Sequence, residues 1–317
     1  MSDRTGNLAV ALFVALYVAS LVLLDQLGAL PVEEAGTLLL VLGFGFSFLA
    51  WLLTIGIKPL EIRIARPALE GSAAVLLVVA VGAYLVYGRT WVDAQFPDAA
   101  HGGGELGHVL GVTAAKLAVF VVIPFLTFRL MFGQGAAGFG LSRAALARLG
   151  GRDGIAALVI AAAICVFQFY AGRAAAPIRE GQIVGETLWL GGALTFVWLL
   201  FDVGLTEEFF FRGMVQERLA AAFKSPLAGL ILMALIFGLV HAPGMVLRGA
   251  GDVEGLGEHP GALVAAAYTI GVQSVAAFFL GIVWMRTRNL PAVIVIHAAT
   301  DLLSNLPYFV KTVGLTN

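Results

Sequence analysis

Two adjacent carboxylates and an arginine lie in one of the most apolar parts of the chain. Glu207, Glu208 and Arg212 follow a largely apolar run over residues 194–205. Ionisable side chains in such a setting are costly, and they usually face the interior of a helix bundle and have a task there. On a helix, Glu208 and Arg212 share a face, whereas Glu207 points about 100° away. We therefore expect Glu208 to pair with Arg212, which leaves Glu207 free for a different partner.

Two later helices carry polar groups that could complete a site with Glu207. His241 follows Phe237 by four residues, and Asp301 follows His297 by four residues. Residues at this spacing lie on one helical face, so His297 and Asp301 point the same way and Phe237 could wall a pocket beside His241. His241 could share or relay a proton with Glu207. His297 and Asp301 could stabilise an oxyanion, directly or by orienting a donor.

The residue types favour the use of water as the nucleophile. A carboxylate in a pocket of low dielectric constant has a raised proton affinity, which suits a general base or acid near neutral pH. The only cysteine is Cys165, and no serine stands in a nucleophile-elbow sequence. An activated water could therefore attack an acyl group. Zinc is the alternative, with Glu207, His241 and His297 as three ligands and water as the fourth.

The composition is that of a helical membrane protein. Of the 317 residues, 60% are hydrophobic and 12% are charged, and the mean hydropathy is +0.95. A soluble domain carries about 25% charged residues. The net charge of −1 gives no basic surface for nucleic acid. The lipid bilayer is thus the expected surrounding, and nucleic acid is not an expected partner.

Apolar stretches long enough to cross a membrane recur along the whole chain. We predict an all-α polytopic protein with nine transmembrane helices, or eight if one segment is re-entrant. Residues 1–185 form N-terminal helices without a motif, and residues 186–317 contain a four-helix catalytic core. Lys116 lies within the fourth span and is expected to snorkel or face water. The spans are placed near 8–25, 36–57, 68–88, 107–132, 154–172, 186–223, 226–247, 262–285 and 290–312.

Positive charge predicts the orientation, because lysine and arginine are enriched in cytoplasmic loops. Alternate loops are basic, and this pattern places the N-terminus in the cytoplasm. The basic residues that fall on that side are Lys58, Arg63, Arg66, Arg143, Arg148, Arg152, Arg218, Lys224, Arg286 and Arg288. The alanine-, glycine- and arginine-rich composition suggests a bacterial chain, so we expect an inner-membrane protein.

The two C-terminal hairpin turns predict the depth of the candidate groups. Glu207 and His241 are almost equally far from the turn at Lys224, about 25 Å, whereas His297 is only about 10 Å from the turn before Pro291. These depths agree only if the turn of the first hairpin lies farther out of the membrane than the turn of the second. The polar run 216–218 is then expected to be exposed, where the helix leaves the lipid. The site is expected to open toward the cytoplasm.

At these residues the chain resembles the CPBP family of intramembrane proteases, which includes type II CAAX prenyl endopeptidases and bacteriocin-processing relatives. The family pattern is EExxxR, then FxxxH, then Hxxx followed by Asn or Asp. The resemblance covers about the last 110 residues. In this chain the pattern is met by Glu207, Glu208, Arg212, Phe237, His241, His297 and Asp301.

The resemblance implies an endopeptidase that cuts a membrane-associated protein or peptide within the bilayer. It implies that Glu207 and His241 activate water, and that His297 with Asp301 stabilises the oxyanion. Glu208, Arg212 and Phe237 would be supporting groups. A metal-free glutamate mechanism fits the prenyl-processing members, so we expect no cofactor. Asp301 replaces the Asn of eukaryotic prenyl endopeptidases, and no second His follows His241, which argues against prenylated substrates.

Two other functional classes are compatible with buried ionisable groups in a membrane protein. The first is a proton- or ion-coupled transporter, in which Glu and His relay ions. Clustering of the groups at one depth, in the last four spans, disfavours it. The second is a non-catalytic CPBP-like scaffold that binds partners, against which the intact motif set argues.

Overall fold

The chain forms a helical bundle. The computed structural model describes residues 3–96, 105–249, 256 and 258–315, and all regular structure in this part of the chain is helical. Nine helices in it are long and apolar enough to cross a membrane, which confirms the all-α polytopic prediction. We number them α1 Arg4–Gln26, α2 Val32–Leu53, α3 Pro67–Gln95, α4 Leu106–Phe132, α5 Arg152–Ala171, α6 Gly185–Phe223, α7 Pro226–Arg248, α8 Ala262–Thr287 and α9 Leu290–Thr312.

Short helices fill two of the connections between these spans. Ala136–Phe139 and Arg143–Arg148 lie between α4 and α5. Arg173–Ala175 and Ala176–Arg179 lie between α5 and α6. The first pair matters for the site, because Phe139 packs against α6 with its ring 4.5 Å from that of Phe209.

Both C-terminal hairpins turn where the sequence predicts. Lys224 and Arg288 adopt left-handed backbone conformations, with φ of 52° and 49°. The next residue in each turn then caps the following helix: Ser225 accepts a hydrogen bond from the N–H of Ala228, and Asn289 accepts one from the N–H of Ala292. A proline at the start of α7 and of α9 suits the first helical turn, where its missing N–H has no partner to lose.

Helix α6 is not a regular α-helix. It begins as an α-helix over Gly185–Leu199, widens over Leu200–Leu205, returns to an α-helical turn at Thr206–Glu208, widens again over Phe209–Gln216 and ends as an α-helix over Glu217–Phe223. Wide π-type turns of this kind occur often at functional sites. The two glutamates thus occupy a single regular turn between two distorted stretches.

Two pairings dominate among the C-terminal helices. Helix α9 contacts α5 and α6, while α7 packs against α8. The main apolar core includes residues of α6 to α9, but it also contains residues of α2, α3, α4 and α5. The division of the chain at residue 185 stays a prediction, and the apolar core is continuous across it.

The first C-terminal hairpin does extend beyond the second. Arg288, in the second turn, lies 2.8 Å from Glu217, and Glu217 is about 9 Å along the helix from the end of α6 at Phe223. The expected offset is therefore present.

The exposure predicted for residues 216–218 is wrong. Gln216, Glu217 and Arg218 are only 2%, 6% and 0% exposed. Other parts of the protein cover this section of α6. The guanidinium of Arg218 lies over the rings of Phe128 and Phe139, and Glu217 pairs with Arg288 instead of facing water.

Candidate active site

A buried ion pair forms the base of the candidate site. Glu208 and Arg212 are both fully buried, and an Oε1 oxygen of Glu208 accepts a hydrogen bond of 2.6 Å from Nη1 of Arg212. The predicted pair is therefore present, even though the helix is widened between the two residues. A second nitrogen of Arg212 donates to the carbonyl of Ala277 in α8, which ties the pair to a neighbouring helix.

Glu208 also contacts His297, a contact that the spacing of residues did not predict. The Nδ1 of His297 lies 2.5 Å from the same Oε1 of Glu208. His297 is 4% exposed and belongs to α9, so this contact joins α9 to α6. The histidine nitrogen that remains, Nε2, lies 3.9 Å from a carboxylate oxygen of Glu207 and 3.9 Å from one of Asp301.

Glu207 is the less enclosed glutamate. Its side chain is 15% exposed, and it makes no hydrogen bond to the part of the chain that the structure describes. The structure therefore agrees with the prediction that Glu208 takes Arg212 and leaves Glu207 available. The carboxylate borders an open cavity.

Close contacts of two glycines fix the turn that carries the glutamates. A Cβ atom on Gly204 would lie 2.9 Å from the carbonyl oxygen of Ile294 in α9. A Cβ atom on Gly213 would lie 3.0 Å from the carbonyl oxygen of Phe139. Such contacts are tighter than ordinary van der Waals packing. Absence of a side chain at both positions therefore allows α6 to approach its neighbours on either side of Glu207 and Glu208.

Three consecutive phenylalanines anchor the same turn in different directions. Phe209 stacks on Phe139, Phe210 meets Phe120 of α4 edge to face, and Phe211 meets Phe237 of α7 edge to face. All three are buried. The run of aromatic residues after the glutamates is thus explained by packing, because each ring holds α6 against a different element.

His241 lies at a break in α7. The first part of that helix covers Pro226–Leu239, and a second part covers Ala242–Arg248 with Pro243 in its first turn. The Nδ1 of His241 lies 2.7 Å from the carbonyl oxygen of Phe237, so it acts as a donor. This hydrogen bond leaves Nε2 of His241 as the nitrogen available for other partners.

Phe237 packs among the charged groups. Its ring centroid is 4.9 Å from that of His241 and 6.2 Å from that of His297. The guanidinium carbon of Arg212 lies 4.6 Å from the same ring, a cation–π distance. Phe237 thus packs between the two histidines, whereas its predicted role as a wall of the pocket stays a prediction.

Asp301 lies beside His297 but forms no hydrogen bond with it. The two side chains face each other along α9, as their spacing predicts, yet 3.9 Å separates their nearest polar atoms. Asp301 remains 31% exposed. The carboxylate that fixes the ring of His297 is therefore Glu208, and Asp301 borders the free nitrogen of that ring.

The geometry of a zinc site is not met by these side chains. Among the described residues, no three His, Cys, Asp or Glu side chains converge so that they could hold a metal ion. Glu207, His241 and His297, the alternative zinc ligands, share the site without forming such a group. One nitrogen of each histidine is already engaged, with Phe237 or with Glu208.

An open cavity of about 390 Å³ lies next to Glu207 and His241. Arg89 and Arg248 also line it. Helix α3 starts at the end of the bundle that holds the Lys224 turn, since a Cβ atom on Gly71 would lie 2.9 Å from that of Ala222. Arg89 lies about 27 Å farther along α3. The cavity therefore extends toward the opposite end of the bundle, and the expectation of an opening on the side of the turns is wrong.

A second buried ion pair lies close to the glutamates. Asp202, within α6, accepts hydrogen bonds of 2.7 Å from Nζ of Lys116 and 2.6 Å from the hydroxyl of Thr113. Its carbonyl oxygen accepts a further bond from Thr206, the residue before Glu207. Lys116 is 16% exposed and lines the open cavity, which agrees with the expectation that it snorkels or faces water, but its pairing with Asp202 was not expected. The signal that could have found this pair is Asp202 itself, a carboxylate in an apolar run.

The comparisons with known proteins agree with the motifs. Residues 187–303, just over a third of the chain, match the family model described as type II CAAX prenyl endopeptidase Rce1-like. No curated protein and no solved structure matches the chain. The matched segment contains every residue of the three motifs, from Glu207 to Asp301. Residues 187–303 are therefore Rce1-like, and the match confirms the resemblance to CPBP-type proteases that the motifs predict.

Proposed function

We propose that the protein is an intramembrane endopeptidase that hydrolyses a peptide bond of a membrane-associated protein or peptide. The observation that carries this proposal is the position of Glu207. Its carboxylate has no hydrogen-bond partner among the described residues and borders, with His241, a cavity large enough to admit a peptide segment. A family match at the level of a protease supports the same reaction class.

In this mechanism Glu207 removes a proton from water as the water oxygen attacks the carbonyl carbon of the substrate. The carbonyl oxygen becomes an oxyanion in the tetrahedral intermediate. Collapse of the intermediate breaks the C–N bond, and the proton passes to the leaving amine. His241 assists this transfer through Nε2, because its Nδ1 is already committed to Phe237.

His297 stabilises the oxyanion through Nε2. Nδ1 of the same ring donates to Glu208, so both nitrogens can donate only when the ring carries both protons. The carboxylate of Glu208 compensates for that positive charge. Asp301, 3.9 Å from Nε2, assists His297. Glu208 and Arg212 act by positioning His297, and Phe237 keeps the two histidines apart.

The mechanism proposed here uses no metal ion. It is supported by the spacing of the side chains, since Glu207, His241 and His297 do not form a group that could hold a metal ion among the described residues. The committed nitrogens of His241 and His297 also favour the glutamate mechanism over a zinc-bound water.

The proposed setting is a bacterial inner membrane, with the N-terminus in the cytoplasm. The distribution of basic residues supports this orientation. Asp3 and the Lys224 turn lie at one end of the bundle, because Ser225 donates a hydrogen bond of 2.5 Å to Asp3. The predicted cytoplasmic position of the N-terminus and that of the first hairpin turn are thus mutually consistent.

Incubation of the purified protein with a library of membrane peptides tests the proposal. We expect the wild type to release cleaved products and the Glu207→Gln variant to release none. Glu33→Gln, a change of an exposed carboxylate in α2, serves as the matched control and should cleave normally. Intact peptides with folded wild type would reject the endopeptidase and favour a transporter or a scaffold. Cleavage by Glu207→Gln would reject the role of Glu207.

A further inference from the structure

Another open cavity lies at the end of the bundle that holds the two hairpin turns. It has a volume of about 360 Å³ and lies between the end of α2 and the start of α5. Its position follows from the backbone, since the N–H of Leu60 donates to the carbonyl of Thr287, beside the second turn. This cavity shares no described lining residue with the one beside Glu207. The residues that line it are Gly56, Ile57, Lys58, Arg148, Gly151, Arg152 and Asp153.

Basic side chains predominate in this lining. Lys58, Arg148 and Arg152 are cationic, and Asp153 is the one acidic residue among the described lining residues. Lys58 and Arg152 are exposed and form no ion pair with the part of the chain that the structure describes. Three cations and one carboxylate leave a net charge of +2, so the cavity attracts an anion.

The carboxylate of Asp153 is held by a residue outside the cavity. It is 4% exposed, and its Oδ2 accepts a hydrogen bond of 2.9 Å from the side-chain amide of Asn289. Nη1 of Arg148 approaches the same oxygen only to 3.9 Å. This Nη1 is buried and has no hydrogen-bond partner among the described residues. A buried donor without a partner is costly, and an anionic oxygen in the cavity would satisfy it.

Hydrogen bonds to the backbone hold both guanidinium groups in the wall. Nη2 of Arg148 donates to the carbonyl of Lys58 at 2.8 Å, and Nη2 of Arg152 donates to the carbonyl of Ile55 at 2.7 Å. Helix α5 begins at Arg152, and no side chain caps its first turn. The start of this 20-residue helix adds positive partial charge to the same wall. The cations are therefore positioned before any anion arrives.

The surface beside the cavity is apolar on both helices that border it. Leu52 and Ile55 at the end of α2, and Ile155 and Leu158 at the start of α5, are exposed. Exposed apolar side chains on membrane-spanning helices face the hydrocarbon of the bilayer. A free phosphate would use only the basic wall, whereas a phospholipid would use both surfaces, with its acyl chains against the apolar one. The arrangement therefore favours a lipid as the occupant.

We propose that this cavity binds the phosphate of an anionic phospholipid, with Lys58, Arg148 and Arg152 as its partners. The acyl chains lie along the exposed faces of α2 and α5. Basic pockets between membrane-spanning helices suit such headgroups. The site does not depend on the proposed peptidase function, and it is separate from the residues of the proposed mechanism.

Binding of a fluorescent phosphatidylglycerol to the purified protein in an uncharged detergent tests this site. Unlabelled phosphatidylglycerol, phosphatidylcholine and inorganic phosphate serve as competitors. The wild type is compared with three double variants. Lys58→Gln with Arg152→Gln removes two charges, and Lys58→Arg with Arg152→Lys retains them. Arg129→Gln with Lys224→Gln is the matched control, since it removes two exposed basic residues that lie outside the cavity.

We expect the wild type to bind phosphatidylglycerol about twentyfold more tightly than the variant without the two charges, which corresponds to about fivefold for each charge. The charge-retaining variant and the control should bind nearly as the wild type does. Phosphatidylcholine should compete weakly because its headgroup has no net charge. Inorganic phosphate should compete weakly because it has no acyl chains.

Equal binding by the wild type and the variant without the two charges would overturn the site. Equal competition by phosphatidylcholine would do the same, because it would show that the acyl chains alone bind. Strong competition by inorganic phosphate would make a free phosphate the occupant, and the lipid assignment would be wrong. Thermal unfolding is measured in parallel. If the variant without the two charges does not fold, the three competitors on the wild type and binding by the charge-retaining variant decide the question.

Discussion

The two adjacent glutamates have different surroundings, and these surroundings decide what each can do. Glu208 is fully buried, and its Oε1 contacts both Arg212 and His297. Glu207 is 15% exposed and faces the cavity. A carboxylate that already accepts two strong hydrogen bonds is held in place by them, whereas one without partners is available to accept a proton from water.

Exchange of each glutamate for glutamine should therefore produce different defects. Glu207→Gln should abolish turnover while thermal unfolding in detergent stays close to that of the wild type. Glu208→Gln should lower both turnover and the unfolding temperature, because it leaves Arg212 buried without its partner. Loss of one partner of a buried ion pair costs about 3–5 kcal/mol of stability. We check these expectations by measuring turnover of an identified substrate and the unfolding temperature for both variants. Equal destabilisation by both changes would contradict the division of roles.

Two substitutions of Asp301 test whether this residue acts through hydrogen bonding or through its charge. If it acts through hydrogen bonding beside Nε2 of His297, Asp301→Asn should keep substantial activity and Asp301→Ala should lose it. The values of kcat are compared at saturating substrate. Loss of activity in both variants, with normal folding, would show that the negative charge itself is required.

Removal of metal ions tests the remaining part of the proposed chemistry. Since no group among the described residues has the arrangement needed to hold a metal ion, we expect chelators to leave the activity unchanged. Metal analysis of the purified protein accompanies the assay. Stoichiometric zinc that is lost together with activity, and restores activity when added back, would replace the metal-free mechanism with a zinc one.

At the scale of elements, the distorted course of α6 positions the glutamates. Wide turns lie on both sides of the turn Thr206–Glu208, and glycines at 204 and 213 allow close packing there. Asp202 ties the same stretch to Lys116 and Thr113 of α4, and Thr206 donates to the carbonyl oxygen of Asp202 within α6. The position of Glu207 therefore depends on α9 on one side and on α4 on the other.

A methyl group at Gly204 should disturb this arrangement. In Gly204→Ala the new Cβ would lie 2.9 Å from two atoms of Ile294, one of them the backbone oxygen, so α6 and α9 must move apart. We expect a lower unfolding temperature, by the equivalent of about 1–3 kcal/mol, and reduced kcat. Gly192→Ala, in the same helix but with nothing within 4 Å of the added atom, is the matched control. Similar effects of both changes would contradict this account.

The sequence predicted the pieces of the site better than the contacts between them. Spacing within one helix was sufficient to pair Glu208 with Arg212, because four residues place two side chains on one face. The contact of Glu208 with His297 spans 89 positions and depends on how α9 crosses α6. Glu217 and Arg218 were misinterpreted as exposed for a similar reason, since polarity along one helix does not reveal which neighbouring helices supply its partners.

At the scale of the whole molecule, the hairpin turns lie at one end of the bundle and the cavity extends toward the other end. One end holds the N-terminal cap at Asp3 and the turns at Lys224 and Arg288. The cavity extends toward the other end, where Arg89 and Arg248 lie. The nine helices matched the predicted spans because long apolar stretches are a strong signal, but the direction of the cavity follows from packing and was not predicted correctly.

Labelling of single cysteines determines which end faces the cytoplasm. In a Cys165→Ala background, Lys224→Cys and Arg143→Cys should react with impermeant reagents only from the cytoplasmic side, since both residues are exposed at the predicted inner end. Glu180→Cys, exposed in the connection between α5 and α6, should react only from the outside. The reverse pattern would invert the orientation and place the mouth of the cavity in the cytoplasm.

The position of His297 on α9 has a consequence for the biosynthesis of the protein. The Glu208–Arg212 pair is made when α6 is synthesised, but the histidine that contacts Glu208 lies on the ninth helix. A nascent chain that ends before Leu290 therefore contains both glutamates and His241 without a completed site. In the proposed mechanism such a chain lacks His297 and Asp301, so we expect activity only after the ninth helix has been inserted.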